Sequence, residues 1–263
     1  MPDAAEPVSV LGVPIAVGDV GRCADAVVRW AAEVTERPAA RYVCATSVHG
    51  VVEAWRHREF HRILGNAALV CADGMPLVWV GRMKGRRGMV RASGPDLMLE
   101  TCGRSAGTGV RHFFYGGAAG VAERLALTLA RRFPALLVAG WHAPPFRELG
   151  HDELDAVARE INAAAPDIVW VGLGTPRQER WAAAMAGRLR AKVIVTVGAA
   201  FDYHTGRLRR APAVLQRAGL EWAYRLAQQP RHVWRRYLTN NPLFVVLATA
   251  ELLGWLRIGD AHD

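Results

Sequence analysis

Six short apolar runs alternating with amphipathic stretches, no polar alternation inside those runs, and an arginine-rich last quarter together predict an α/β chain. The expected architecture is a Rossmann-like, mostly parallel sheet with helices on both faces over residues 1–202. A basic, amphipathic helical appendage is expected over residues 203–263. The runs are Arg41–Thr46, Ala68–Ala72, Arg111–Tyr115, Leu136–Gly140, Asp167–Gly172 and Lys192–Gly198. Each reads as a strand covered on both faces, because a one-sided strand would alternate apolar and polar residues. Between them, Gly120–Phe133 and His151–Ala165 carry helical periodicity, so the rhythm is β-α repeated and a right-handed doubly wound sheet is the economical solution.

The appendage differs in composition. From Tyr203 to Asn240 there are eight arginines against one acid, Glu221. Pro212 is placed to open a helix and Pro230 to end it. Between them Leu215, Ala218, Trp222 and Leu226 share one face, while Arg217, Glu221 and Arg225 recur on another. A second basic helix follows, with Val233, Trp234 and Tyr237 beside Arg231, Arg235 and Arg236, and after Asn240-Asn241-Pro242 comes an apolar run with Trp255 and Arg257. That run contains Glu251 and falls short of the ~20 residues needed to cross a bilayer.

The chain has 51% hydrophobic residues in 263, enough for a sizeable core, which excludes a disordered chain. Its formal charge is +9, and only Lys84 and Lys192 are lysines, so the positive charge is almost wholly guanidinium. Arginine suits bidentate contacts to phosphate, although a GC-rich coding sequence gives the same bias. Cys23, Cys44, Cys71 and Cys102 lack C-x-x-C spacing, and a reducing compartment is expected. Met1–Val17 has acids and prolines where a signal peptide would have a basic start and an apolar core.

In an open parallel sheet, ligands meet the loops at the C-terminal strand ends. Those loops here contain Thr46, Ser47 and His49; Asp73 and Gly74; Gly116 and Gly117; Gly172, Gly174, Gln178 and Glu179; and Gly198, Phe201 and Asp202. Asp73 directly follows an apolar run, a position that suits a general base or, alternatively, a cap of the next helix. Asp202 reads more readily as a turn or cap residue. Gly172-Leu173-Gly174-Thr175-Pro176 is a glycine turn whose N–H groups can face phosphate at a helix N-terminus. It is not the dinucleotide fingerprint, since Arg177 stands at the third glycine position. Gln178 and Glu179 can reach a ligand from the first helical turn, or Glu179 can simply complement the helix dipole. His49 is a candidate ligand or base. His57 and His61 are four apart, but Arg58 replaces the glutamate of H-E-x-x-H, which favours a solvated face. No D-x-D sequence exists to hold a divalent ion at a diphosphate, so Arg91, Arg225 and Arg231 are the candidates to neutralise one.

The ordered set of motifs is more specific than any one of them. It comprises Ala72-Asp73-Gly74, Arg91 with Gly94-Pro95-Asp96-Leu97, Phe114-Tyr115-Gly116-Gly117, Gly172 through Glu179, Gly198 with Phe201-Asp202, Arg210-Ala211-Pro212, and Gly219 through Leu226 with Pro230-Arg231. In this order, from about residue 10 to residue 238, the chain resembles the WecG/TagA/CpsF glycosyltransferase family. The resemblance implies a bacterial, inverting, metal-independent hexosyltransferase with no cofactor. Its donor would be a UDP-sugar carrying N-acetylmannosamine, its uronic acid or a glucose-type sugar. Its acceptor would be a polyprenyl-diphosphate-linked sugar, met in the cytoplasm at the inner face of the cell membrane during surface polysaccharide synthesis. By the same resemblance Asp73 is the general base, and Arg225 and Arg231 lie over the donor diphosphate. Thr46, Ser47, His49, Arg91, Asp96, Tyr115, Gly116, Gly117, Gly172, Gly174, Gln178, Glu179, Gly198, Phe201 and Asp202 are then the substrate-binding candidates. Many members carry Thr-x-Asn where this chain has Ala45-Thr46-Ser47-Val48-His49, a departure that bears on sugar identity rather than reaction type.

Other classes fit parts of the sequence. A basic nucleic-acid-binding α/β protein accounts for the arginines but lacks a recognisable binding module, so no nucleic-acid partner is expected. A nicotinamide-dependent oxidoreductase would need the missing G-x-G-x-x-G and its acidic partner. An inactive membrane-associated scaffold of the same fold, or a homo-oligomer, is compatible with the same residues.

Overall fold

The computed structural model describes residues 6–34 and 39–256, so Met1–Ala5 and Arg257 lie outside the described residues. In chain order the elements are β1 (Val8–Val10), β2 (Val13–Ile15), α1 (Val20–Ala31), β3 (Arg41–Thr46), α2 (Val48–Arg56), α3 (Arg58–Gly65), β4 (Leu69–Ala72), α4 (Met75–Met83), α5 (Gly94–Ser105) and β5 (Arg111–Gly116). They continue as α6 (Val121–Arg132), β6 (Leu137–His142), α7 (His151–Ala163), β7 (Ile168–Gly172), α8 (Arg177–Met185), β8 (Val193–Thr196), α9 (Ala200–His204), α10 (Ala213–Arg217), α11 (Glu221–Gln228) and α12 (Pro230–Leu252).

The sheet has six strands in the order β4-β3-β8-β7-β5-β6, and its β3/β8, β8/β7, β7/β5 and β5/β6 pairs are parallel. This is the α/β architecture that the continuous apolar runs predict. Ile168, Val169, Trp170 and Val171 of β7, and Val193, Ile194 and Val195 of β8, are fully buried, as strands with helices on both faces require. The expectation of two-sided burial fails at β6, whose Leu137 and Trp141 are exposed. It is an edge strand, paired on one side only.

The chain divides into two compact units. One comprises Val20–Ala45 and Gly94–Leu208; the other comprises Met1–Asp19, Thr46–Ser93 and Arg209–Asp263. In the first, the sheet packs against helices such as α6, whose Val121, Ala122, Leu125, Ala126 and Leu129 form a buried helical stripe. In the second, α2 and α4 pack against α12, and Glu251 of α12 accepts the Leu11 N–H and pairs with Lys84 at 2.8 Å.

Three local features differ from the sequence expectations. β1 and β2 form an antiparallel hairpin around Leu11 and Gly12, both at positive φ, and three-residue strands are too short to show a period. The single helix expected between Pro212 and Pro230 is two, α10 and α11, interrupted at Gly219 with φ +71°. A Cβ there would lie 2.6 Å from the Trp79 ring, so glycine permits both the left-handed backbone and the close approach of this turn to α4. Pro230 does follow the end of α11 at Gln228, as expected, but it also opens α12, where its missing N–H costs nothing, and α12 continues through Pro242 to Leu252.

Candidate active site

Asp73 directly follows β4. Its N–H donates to the Thr46 carbonyl at 2.9 Å, and Ala92 N–H donates to the Ala72 carbonyl at 2.9 Å, so the backbone on both sides of the carboxylate is tied down. The Asp73 side chain remains about one-third exposed. Arg91 is the hub beside it. Its Nε donates to the Asp73 carbonyl at 2.5 Å, Nη1 donates to Gln216 Oε1 at 3.2 Å, and Nη2 donates to Glu221 Oε2. The same Nη2 stands 3.9 Å from Asp73 Oδ1, too far for a hydrogen bond. Arg210 adds a second cation, donating to Ser93 Oγ at 3.0 Å with its Nε 3.9 Å from Glu221 Oε1. The base candidate and the start of α11 are thus joined through one guanidinium. Sequence reasoning places Glu221 only on a helix face; that it is the single acid among eight arginines is the signal that it pairs.

The glycine loops of the other unit form a separate, tightly packed set. Gly116 (φ +127°) lies so close to Gly172 that a Cβ would come within 2.6 Å of the Gly172 carbonyl oxygen. Phe201 is buried against Gly172 and Gly117, and Tyr115 is buried between Trp181 and His142, with ring centroids 4.3 and 5.5 Å away. These two aromatics support the loops from beneath. Gln178 and Glu179 are buried in the first turn of α8. Gly198 N–H donates to Gln178 Oε1 at 2.9 Å, Gln178 Nε2 donates to Glu179 Oε1 at 2.9 Å, and Thr175 Oγ1 donates to the same oxygen at 2.8 Å. Burial pushes the Glu179 carboxyl above its ordinary pKa, against the lowering effect of the Gln178 and Thr175 hydrogen bonds. Burial, and then the nearby Glu179, push the Cys44 thiol up as well. Asp202 lies inside α9, not in a strand-end loop, 3.4 Å from Arg207 Nε; Asp96 lies in the first turn of α5.

A glycosyl transferase family model, described as WecG/TagA/CpsF, matches residues 8–257. The chain belongs to the WecG/TagA/CpsF family. It is 32% identical over 187 residues to a Bacillus spizizenii protein named N-acetylglucosaminyldiphosphoundecaprenol N-acetyl-beta-D-mannosaminyltransferase, covering 71% of this chain and 70% of that protein. Proteins of the same name from Bacillus subtilis and Staphylococcus aureus are 28% identical over 186 residues and 26% over 194. The first match covers 71% of this chain and 70% of the relative, the second 73% of each. As a member of this family the chain is a glycosyltransferase of the hexosyltransferase type.

The remaining candidates of this WecG/TagA/CpsF chain divide by their partners. His49, in α2, accepts at Nδ1 from Asn240 Nδ2 of α12 at 2.7 Å, and Asn240 Oδ1 accepts from Arg56 at 2.9 Å. His57 lies 3.4 Å from Glu53, and His61 contacts the Gly12 carbonyl at 3.0 Å. Among the described residues, no three His, Cys, Asp or Glu side chains converge as metal ligands would. Arg225 follows Glu221 by one helical turn on α11, on the same face, so their Cβ atoms are about 6 Å apart. Among the described residues neither Arg225 nor Arg231 has an ion-pair partner, and Arg225 Nε is buried without a hydrogen bond. Thr46 accepts the Asp73 N–H through its carbonyl, and a Cβ on the adjacent Gly74 would reach ordinary contact with Ser47.

Proposed function

We propose that this chain transfers N-acetylmannosamine, or a close analogue of it, from a UDP-sugar to a polyprenyl-diphosphate-linked sugar, with inversion at the anomeric carbon. The observation that carries the reading is the one-third-exposed carboxylate of Asp73, a residue whose backbone carbonyl is tied by Arg91 to a helix whose next turn bears Arg225, which has no ion-pair partner among the described residues. Asp73 takes the proton from the acceptor hydroxyl as its oxygen attacks the anomeric carbon on the face opposite UDP. The anomeric C–O bond to the diphosphate breaks, and the electron pair leaves with UDP. A base so placed contributes on the order of 10²–10⁴ in rate. Arg225 and Arg231 stabilise the charge that develops on the departing diphosphate, the kind of preorganised contact that acts most strongly in a water-poor site. The relatives' shared name makes UDP-N-acetylmannosamine the first donor, and a diphosphate-linked N-acetylglucosamine the first acceptor, to assay.

The C-terminal helices supply the second part of the reading. No helix among the described residues is long and apolar enough to cross a membrane. Trp234, Leu238, Val245, Val246 and Leu253 of α12 and its C-terminal end are exposed, with Arg231 and Arg235 beside the first of them. Such a surface favours an anionic bilayer, at about 1 kcal/mol per arginine near the headgroups. The lipid-linked acceptor is then met at the inner face of the membrane.

The experiment is transfer from UDP-N-acetylmannosamine to a polyprenyl-diphosphate-N-acetylglucosamine acceptor in vesicles, with the anomeric configuration of the product read by NMR. A β-linked product from an α-linked donor supports the reading. Retention of configuration, or no transfer from any UDP-sugar with vesicles present, overturns it.

A further inference from the structure

We propose that Glu179 is a positioning residue held as a neutral acid, which fixes the Gln178 amide and leaves the N-terminus of α8 electropositive toward the diphosphate of a nucleotide. The inference rests on the reading of the chain as a UDP-sugar transferase. The two carboxyl oxygens of Glu179 are unequal. Oε1 accepts twice, from Thr175 Oγ1 at 2.8 Å and from Gln178 Nε2 at 2.9 Å, whereas Oε2 is buried without a hydrogen-bond partner. The whole residue is buried, and it forms no ion pair among the described residues.

Two donors on one oxygen and none on the other is the pattern of a carboxylic acid, whose carbonyl oxygen accepts and whose hydroxyl carries the proton. An ionised carboxylate spreads its charge over both oxygens, and a bare buried oxygen anion is the costlier of the two states. The surrounding groups agree. Cys44 of β3 stands near it as a thiol that burial and Glu179 push up, and the strands β7 and β8, against which α8 packs, carry no ionisable side chain. Arg180 is the neighbouring charge that favours the anion. Burial outweighs it, together with the hydrogen bonds from Gln178, Thr175 and the residue's own N–H, so the carboxyl sits above its ordinary pKa.

The retained proton matters at the start of α8. Thr175 belongs to the glycine turn that leads into this helix, and the turn has room, since a Cβ added to Gly174 meets nothing within 4 Å. A helix N-terminus carries about half a positive charge and suits a phosphate. An anion at the third helical residue offsets that charge; a neutral acid leaves it to the ligand. The Oε1 contact also holds the Gln178 amide so that its oxygen takes the Gly198 N–H at 2.9 Å, which ties the second glycine loop to the first.

The test joins carbon-13 NMR of the glutamate carboxyl groups at neutral pH with calorimetric titration by UDP, vesicles present, of wild type, Glu179→Gln and Glu179→Met. One glutamate is expected to be protonated, its signal absent from Glu179→Gln, and the wild-type spectrum shows it whether or not a variant folds. Glu179→Gln reproduces the neutral acid, with one oxygen for both donors, and keeps the UDP dissociation constant within about fivefold. Glu179→Met offers no acceptor, frees the Gln178 amide and weakens UDP about tenfold. An ionised Glu179, a change beyond fivefold in either direction in Glu179→Gln, or an effect within fivefold in Glu179→Met overturns the proposal. Wild type that holds the protonated glutamate but binds no UDP overturns the UDP-sugar reading itself, so the two failures are told apart.

Discussion

Gln178 and Gly198 are joined by a 2.9 Å hydrogen bond from the glycine N–H to the side-chain oxygen, which fixes the direction in which the buried amide faces. Its nitrogen is thereby committed to Glu179 Oε1. Gln178→Glu keeps the acceptor for Gly198 but replaces the donor with a second carboxyl beside Glu179. Loss of a buried hydrogen bond of this kind costs about 1–3 kcal/mol. The expected result is a melting temperature lower by several degrees and transfer reduced at least tenfold, and an unchanged melting temperature contradicts the assigned network.

Much of this was legible in the sequence, and the exceptions share a physical cause. β3, β7 and β8 are read directly because buried parallel strands are continuous apolar runs. Asp73 is read from its place after one such run. The appendage was legible as basic helices but not as three of them, because the apolar positions Leu215, Ala218, Trp222 and Leu226 keep a helical period across the Gly219 break. The pairing of Arg91 with Glu221 joins residues 130 apart in sequence, and local periodicity carries no trace of it.

Gly219→Ala tests the turn between α10 and α11. Alanine at φ +71° costs about 1–2 kcal/mol, before any contact with the Trp79 ring is relieved. The expected outcome is a fall in denaturant midpoint together with lost transfer, since α11 carries both Glu221 and Arg225. Stability equal to wild type contradicts the packing of this turn on α4.

Burial lowers the pKa of His112 from 6.5 to about 4, with Asp167 acting weakly the other way. Trp170 Nε1 donates to its Nδ1 at 3.0 Å and Ser105 Oγ lies 2.9 Å from Nε2, an arrangement that suits the neutral ring. The unfolded chain takes up this proton first. The stabilisation is therefore complete above pH 6.5 and is lost progressively as the pH falls to about 4, by up to ~3 kcal/mol. NMR titration should show His112 neutral at pH 5.5, with the urea midpoint falling below pH 6; protonation near pH 6.5 in the folded protein contradicts this.

Arg225 and Arg231 are the cations assigned to the leaving diphosphate. Arg225→Ala and Arg231→Ala are each expected to lower kcat by about 10²–10³, with the fold intact by circular dichroism. Calorimetric titration with UDP in the presence of vesicles should show weakened binding in both. Unaltered turnover in the double variant would assign them to the membrane surface alone.

The central claim is that Asp73 removes the acceptor proton, and the most direct measurement is single-turnover transfer by Asp73→Asn with both substrates saturating. Asparagine preserves the size of the side chain and the backbone contacts with Thr46 and Arg91. Transfer is expected to slow by a factor on the order of 10²–10⁴, with UDP-sugar binding close to wild type. A rate within a few-fold of wild type would contradict it.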